Sequence, residues 1–229
     1  MNTDYVMKPI AHIRSAYPEK FGIPRQSGLV DTKATITFVP DYAQEDAVRG
    51  LEGFSHLWLI WCFSENADAA WHATVRPPRL GGNTRVGVFA SRSPFRPNPI
   101  GLSCVKLEKI EILPGKGPIL TVRGADLLDG TPILDIKPYL RYSDAHPEAS
   151  GGFADANRDY LLDVQIPDQL LSKLSETDRK PLYEILRQDP RPSYQDNPDR
   201  IYGIRFSKWN IHFTVKKMTA TVIEIKEIN

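Results

Sequence analysis

A proline-rich segment in the middle of the chain limits the fold more than any other feature. Residues 91–103 read SRSPFRPNPIGLS and carry Pro94, Pro97 and Pro99 within six residues. Each proline fixes its own φ and moves the preceding residue out of the helical region, so this backbone is extended and stiff. It lacks three N–H donors and cannot lie in the centre of a sheet. Its carbonyls and its Arg92 and Arg96 side chains can therefore bind a ligand; the alternative is a rigid crossover loop between two strands.

Short apolar runs on both sides of this segment predict strands. The runs span residues 10–13, 34–39, 54–63, 85–90, 101–112, 119–124 and 132–140, with Gly- and Pro-bearing turns between several of them. A short helical stretch is expected at residues 43–48. Many short strands with little helix are typical of a small barrel or sandwich.

The character of the chain changes after residues 143–157, which resemble a linker rich in Gly, Ala and Asp. Leu and Ile recur at helical spacing in residues 168–174 and 181–188, and strand patterns follow at 202–206, 209–215 and 219–225. The prediction is a mainly β protein. It has a small N-terminal β-barrel over residues 1–145 and a small C-terminal α+β domain over residues 158–229.

The composition excludes several classes of protein. The chain has 41% hydrophobic and 25% charged residues, as ordinary globular proteins do. It shows neither a signal peptide nor a long apolar run, and Cys62 and Cys104 fit buried thiols in a reducing compartment. A cytoplasmic protein with no membrane partner is expected. The five histidines have no metal-ligand spacing, and both GxGxxG and the P-loop are missing. No metal site and no Rossmann cofactor turn are predicted.

The formal net charge of +1 hides a polarised distribution. No acid occurs between Asp68 and Glu108, while six cations do: Arg76, Arg79, Arg85, Arg92, Arg96 and Lys106. Clustered arginines favour an anionic partner; the alternative is a basic face balanced by acids elsewhere. Residues 200–217 interleave cations with aromatic rings, which suits RNA, although a half-buried hairpin with a charged edge has the same pattern.

Several of these segments together resemble the TsaA-like, or TrmO, family. The runs that carry the resemblance are SRSPFRPNPIGLS, DGTPILDIKPYL, FGIPRQ, WHATVRPPRLGGN, DPRPSY and YGIRF, spread over nearly the whole chain. The resemblance implies a β-barrel that binds S-adenosylmethionine and a homodimer with the cofactor near its interface. It further implies methylation of N6 of threonylcarbamoyladenosine, just 3′ of the anticodon in threonine tRNA.

The resemblance also assigns site residues by matching motifs. Those implied to bind the cofactor are Pro24, Arg25, Gln26, Ser64, Glu65, Arg92, Leu102, Asp129, Gly130, Thr131 and Pro132. Ser64 stands where many relatives carry His, and Ser can hydrogen-bond but cannot stack or carry charge. The residues expected to contact tRNA are Arg96, Arg191, Tyr194, Arg200, Arg205 and Lys208.

The expected nucleophile is a ureido nitrogen whose lone pair is delocalised, so a proton acceptor would help the reaction. Asp135 and Tyr139, with Lys137 between them, are the candidates because alternation places all three on one face of a strand. A salt-bridged strand face is the alternative. Two other functions stay open at this point: a non-catalytic RNA- or nucleotide-binding barrel module, and a methyltransferase acting on a small molecule.

Overall fold

The computed structural model describes residues 5–80, 83–157, 159–191 and 197–228. Its strands are β1 (Ala11–Arg14), β2 (Lys33–Phe38), β3 (His56–Cys62), β4 (Thr74–Val75), β5 (Val86–Gly87), β6 (Ile100–Leu113), β7 (Gly117–Arg123), β8 (Pro132–Pro138), β9 (Asp163–Gln165), β10 (Tyr202–Phe206), β11 (Trp209–Lys216) and β12 (Thr219–Glu227). The α-helices are α1 (Arg141–Asp144), α2 (Asp168–Leu171) and α3 (Glu176–Arg187). Turns of 3₁₀ helix occupy Pro40–Tyr42, Glu45–Val48, Leu51–Gly53, Ser64–Asn66, Pro78–Leu80, Val88–Ala90 and Gly152–Asn157.

Six strands close into an antiparallel barrel in the order β1-β2-β7-β6-β3-β8. Side chains alternate along each strand, so that Leu57, Leu59 and Trp61 of β3 point into the barrel. They pack there against Ile13, Ile36, Val105, Leu120, Val122 and Ile133, among others. Closure removes the exposed sheet edges of a small β domain.

The second hydrophobic core belongs to a four-stranded sheet in the order β10-β11-β12-β9. Helix α3 buries Leu182, Ile185 and Leu186 in this core. The mainly β fold, with its N-terminal barrel and its C-terminal α+β region, is therefore confirmed. The sequence did not predict β9, which has only three residues and pairs in parallel with β12. The limits 1–145 and 158–229 stay a prediction.

Three local expectations differ from the structure. Residues 85–90 form a two-residue strand and a 3₁₀ turn, because only Val88 is buried there and Phe89 is 75% exposed. Of residues 43–48, only Glu45–Val48 form a 3₁₀ turn, which likewise buries one side chain, Val48. Cys62 and Cys104 are half-buried thiols, since they lie on the outer face of β3 and β6.

Residues 15–31, which form nearly all of the connection between β1 and β2, dock on the C-terminal region. Tyr17 and Val30 belong to the C-terminal core, and the N–H of Ser207 donates to the carbonyl of Ala16 at 2.7 Å. The N–H of Asp31 donates to the Glu184 carboxylate of α3 at 2.9 Å.

Within the described ranges, no helix has the length and apolar character needed to cross a bilayer.

Candidate functional site

A cavity of about 450 Å³ opens at one end of the barrel. Its walls are the loop after β1, the end of β3 with the following 3₁₀ turn, and the proline-rich segment leading into β6. This volume lies within the usual range of small-molecule sites. Eight side chains that the sequence predicted to bind the cofactor line it together: Pro24, Arg25, Gln26, Ser64, Glu65, Arg92, Leu102 and Thr131.

Three predicted residues, Asp129, Gly130 and Pro132, do not line this cavity but build the turn beneath it. The carboxylate of Asp129 accepts a hydrogen bond from the N–H of Ser15 at 2.9 Å and pairs with Arg14 at 3.1 Å. Gly130 has a φ of +81°, which favours glycine. The turn thereby fixes the position of Thr131 in the cavity wall.

The proline-rich segment is anchored by backbone and guanidinium contacts. The N–H of Phe63 donates to the carbonyl of Pro99 at 2.8 Å, which ties the segment to the end of β3. Nη1 of Arg96 donates to the carbonyl of Ser91 at 2.7 Å and to two further carbonyls of residues 88 and 93. Arg92 donates to the side-chain carbonyl of Gln26 across the cavity. Arg96 thus shapes the wall, and its role toward tRNA stays a prediction.

The opposite wall, residues 20–26, rests on the C-terminal region. Gly22 has a φ of +95°, and a Cβ added there would lie 3.4 Å from Ile204 of β10. Nη2 of Arg25 donates to the carbonyl of Asp189 at 2.8 Å. Nζ of Lys20 donates to Asn66 at 3.2 Å, which joins this wall to the 3₁₀ turn after β3.

Three hydrogen-bonded side chains form the floor of the cavity, and none of them was predicted to be a site residue. Nε1 of Trp61 donates to the hydroxyl of Ser103 at 3.0 Å, and that hydroxyl donates to Oδ1 of Asp126 at 2.5 Å. Burial raises the pKa of Asp126 above its ordinary value, while the Ser103 bond acts in the opposite direction. The signal in the sequence was a single acid inside an otherwise apolar run, ADLL, directly before the DGTP turn.

The three candidate proton-handling residues lie outside the cavity. Asp135 and Lys137 form an ion pair at 2.8 Å on the outer face of β8. The Tyr139 ring packs near Trp58, with centroids 5.7 Å apart. In the strand register of the barrel, Asp135 of β8 lies opposite Ile60 of β3, and Ile60 lies opposite Leu102 of β6 at the edge of the cavity. Two strand spacings, about 10 Å, therefore separate Asp135 from the cavity edge. The catalytic assignment stays a prediction.

The predicted tRNA contacts fall into two groups. Arg200, Arg205 and Lys208 are exposed around the first hairpin of the C-terminal sheet, where Arg200 lies over the Tyr202 ring at 5.5 Å. Arg191 is only 7% exposed, and its guanidinium binds the Asp189 carboxylate at 2.8 and 2.9 Å. This buried ion pair stabilises the backbone around residues 189–191. Arg191 would therefore have to leave the pair in order to contact tRNA at the surface. Tyr194 lies outside the described residues.

The side chains around the cavity fit S-adenosylmethionine. Arginine and amide groups at the rim suit a carboxylate or ribose hydroxyls, and the apolar surface of Ile23, Phe63 and Ile100 suits a purine ring. The carboxylates of Glu65 and Asp126 suit its positive charge. Among the described residues, no three His, Cys, Asp or Glu side chains are grouped as a metal-binding set.

Comparisons with known proteins point in the same direction. The family model described as the tRNA-methyltransferase O N-terminal domain matches residues 12–145, and the TrmO C-terminal domain model matches residues 159–228. The chain is 41% identical to the tRNA (adenine(37)-N6)-methyltransferase of Escherichia coli K12, over 93% of this chain and 94% of that protein. It is 43% identical to a Pseudomonas aeruginosa protein whose name includes the words S-adenosylmethionine-dependent methyltransferase, over 90% and 91%. A crystal structure of TrmO from P. aeruginosa superimposes with a TM-score of 0.79 at 35% identity, covering 99% of both chains.

Proposed function

The chain belongs to the tRNA-methyltransferase O family, and from this membership we propose that it methylates N6 of adenosine 37 in tRNA with S-adenosylmethionine as the donor. We extend the proposal to the substrate: the adenosine is threonylcarbamoylated, and the tRNA is specific for threonine. The enzyme acts in the cytoplasm. Residues 1–145 bind the cofactor and residues 158–229 contact the tRNA.

One observation carries the proposal. Eight of the eleven cofactor residues predicted from motifs that are far apart in the sequence line a single cavity of suitable size. A non-catalytic RNA-binding barrel would not need a cavity of this size lined by both acids and arginines. The alternative of a small-molecule methyltransferase leaves the exposed cations of the C-terminal hairpin without a role.

The chain's contribution to the reaction is mainly positional. S-adenosylmethionine supplies a methyl group on a sulfonium centre, which needs no further activation. The stiff proline-rich segment and the rim arginines hold their side of the cavity in a fixed position before binding. Orientation of this kind can contribute about 7–11 kcal/mol in the best intramolecular reactions.

The N6 proton must leave as the methyl group arrives. We retain Asp135 as the candidate acceptor, because it lies on the same outer face as Leu102 and is half-exposed. Lys137 holds the Asp135 carboxylate in place through an ion pair at 2.8 Å. Tyr139 borders the same face.

The tRNA binds, in this proposal, across the acid-free stretch and the C-terminal hairpin. Arg76 and Arg92 are exposed cations of this stretch, and Arg92 also lines the cavity. The rings of Trp71 and Phe89 are 53% and 75% exposed. Exposed rings among cations can stack on unpaired bases while the cations hold phosphates. The anticodon loop, with its unpaired bases, is the part of tRNA that suits such a surface.

We propose further that two copies pair through the outer face of β3 and β6. This face carries Trp58 and Ile60, and Leu102 on it is 48% exposed. Exposed apolar side chains on a barrel wall favour burial against a partner. Because Leu102 also lines the cavity, a second copy on this face would lie next to the cofactor.

Methyl transfer to two preparations of threonine tRNA, with and without threonylcarbamoylation, tests the substrate. We expect transfer from S-adenosylmethionine to the modified tRNA only. Equal transfer to both would leave the methyltransferase in place but refute the threonylcarbamoyl requirement. Absence of transfer to either, together with absence of S-adenosylmethionine binding in a titration, would favour the non-catalytic RNA-binding module.

A further inference from the structure

We propose that Asp126 binds a positively charged group of the cofactor, and that Ser103 positions the Asp126 carboxylate for this contact. The inference rests on the proposed function, because it takes S-adenosylmethionine as the ligand of the cavity. No motif in the sequence assigned either residue.

Asp126 is half-buried at the floor of the cavity, next to side chains that water does not reach. Ser103, its hydrogen-bond donor, is 1% exposed, and Trp61 behind it is 7% exposed. An ionised carboxylate in such surroundings is costly unless it is paired. Among the described residues no cation forms a salt bridge with Asp126, although Arg92 nearby and the backbone N–H of Ser27 favour its charged form. A bound cation would supply the missing partner.

The other charged groups of the cavity are already engaged or lie at its rim. Arg25 donates to a backbone carbonyl, Arg92 to an amide side chain, and Arg96 to carbonyls of its own loop. Glu65, the second acid of the cavity, is exposed on the 3₁₀ turn after β3. Asp126 is therefore the acid whose charge is least screened by solvent, and its attraction for a cation is the strongest in the site.

The hydroxyl of Ser103 fixes the carboxylate. It accepts from Trp61 Nε1 at 3.0 Å, so its single proton is committed to Oδ1 of Asp126 at 2.5 Å. The backbone N–H groups of Ser27 and of Asp126 itself also hydrogen-bond to this carboxylate, which lines the cavity in a fixed orientation. Because Trp61 lines the cavity, its indole and the carboxylate are held in one arrangement.

S-adenosylmethionine offers two cationic groups, the sulfonium and the α-ammonium. Three ligands separate them: S-adenosylmethionine has both, S-adenosylhomocysteine has only the ammonium, and methylthioadenosine has neither. We would titrate each into the wild-type protein and into Asp126→Asn by calorimetry. Glu52→Gln, an exposed acid outside the cavity, is the matched control for loss of one charge.

We expect Asp126→Asn to weaken S-adenosylmethionine binding by about 10- to 100-fold, the usual effect of a hydrogen bond to a charged group, and to leave methylthioadenosine within about twofold. Equal weakening of S-adenosylhomocysteine would assign the ammonium, and an unchanged affinity for it would assign the sulfonium. Unchanged binding of S-adenosylmethionine, or equal weakening of methylthioadenosine, would overturn the proposal. A wild-type protein that binds none of the three would instead refute the cofactor assignment.

Ser103→Ala provides a second test that does not depend on the folding of the first variant. A positioning role predicts weaker binding of S-adenosylmethionine with methylthioadenosine nearly unchanged, as for Asp126→Asn but smaller. A purely structural role for Ser103 would alter both affinities by the same factor. An equal change in both affinities would therefore remove Ser103 from the proposal and leave Asp126 to be judged by Asp126→Asn.

Discussion

Gly101→Ala should damage both stability and cofactor binding, because Gly101 leaves room for the indole of Trp61. A Cβ at position 101 would lie 2.3 Å from Cε2 and 2.4 Å from Cζ2 of that ring. The backbone there is ordinary strand with no left-handed φ, so the whole penalty comes from this collision. Trp61 is 7% exposed and packs on Phe63 at 4.3 Å, which leaves the ring little space to retreat.

The magnitude follows from two effects. Overpacking a filled core costs about 1–3 kcal/mol, and losing the Trp61–Ser103 hydrogen bond costs about 1 kcal/mol more. The free energy of unfolding should fall by roughly 2–4 kcal/mol, which lowers Tm by about 4–16 °C in a chain of this size. Displacement of the ring should also weaken S-adenosylmethionine binding, since Trp61 lines the cavity.

Thermal melts and calorimetric titrations check this prediction. Gly53→Ala is the control, because nothing lies within 4 Å of a Cβ at position 53 and its φ is not positive. That variant should be neutral or slightly more stable. Trp61→Leu combined with Gly101→Ala should destabilise by less than the sum of the single changes. A Gly101→Ala protein with wild-type Tm and affinity would refute the role given to this close approach.

Three further predictions concern proton transfer, tRNA binding and pH. Asp135→Asn should lower the single-turnover methylation rate by about 100-fold or more if Asp135 accepts the proton, and an unaltered rate would exclude that role. Arg200→Ala and Arg205→Ala should each reduce the log–log salt slope of tRNA binding by about one per lost phosphate contact, whereas reduced activity at constant tRNA affinity would indicate packing instead. Burial raises the pKa of Asp126, so the folded chain holds this proton more tightly than the unfolded chain, and the contribution of Asp126 to stability falls as pH rises above the ordinary value of 3.8. The Tm of Asp126→Asn relative to wild type should therefore increase with pH in melts between pH 4 and pH 8, and a constant difference would contradict the direction of that shift.

Much of the barrel could be predicted because its strands are marked by local chemistry. The nearly continuous apolar run of β3 and the β-branched runs of β2 and β7 each indicate a strand without knowledge of its partners. Strand β9 has three residues, too few for any periodicity, and it forms only because β12 lies beside it. Residues 85–90 have the composition of a strand, but most of their side chains find no core to enter.

The candidate site, like the fold, could be predicted only where the signal lies in the local sequence. Motifs with unusual backbone requirements, such as the proline-rich segment and the DGTP turn, were visible in the sequence and lie at the cavity. The roles of Asp126 and Ser103 were not visible, because a lone acid before the DGTP turn and the last serine of the proline-rich segment acquire meaning only through the hydrogen bond between them. Asp135 was chosen from strand alternation, which gives the face of a strand but not its distance from a cavity.

The docking of residues 15–31 makes the two regions of the chain thermodynamically interdependent. One side of this connection contributes Pro24 and Arg25 to the cavity, and the other contributes Tyr17 and Val30 to the C-terminal core. A ligand that binds the folded cavity must stabilise every element that the cavity requires. Saturating cofactor should therefore slow amide exchange in β10 and α3, although neither contributes a side chain to the cavity. By the same linkage, a substitution that destabilises the C-terminal sheet should lower the affinity for the cofactor.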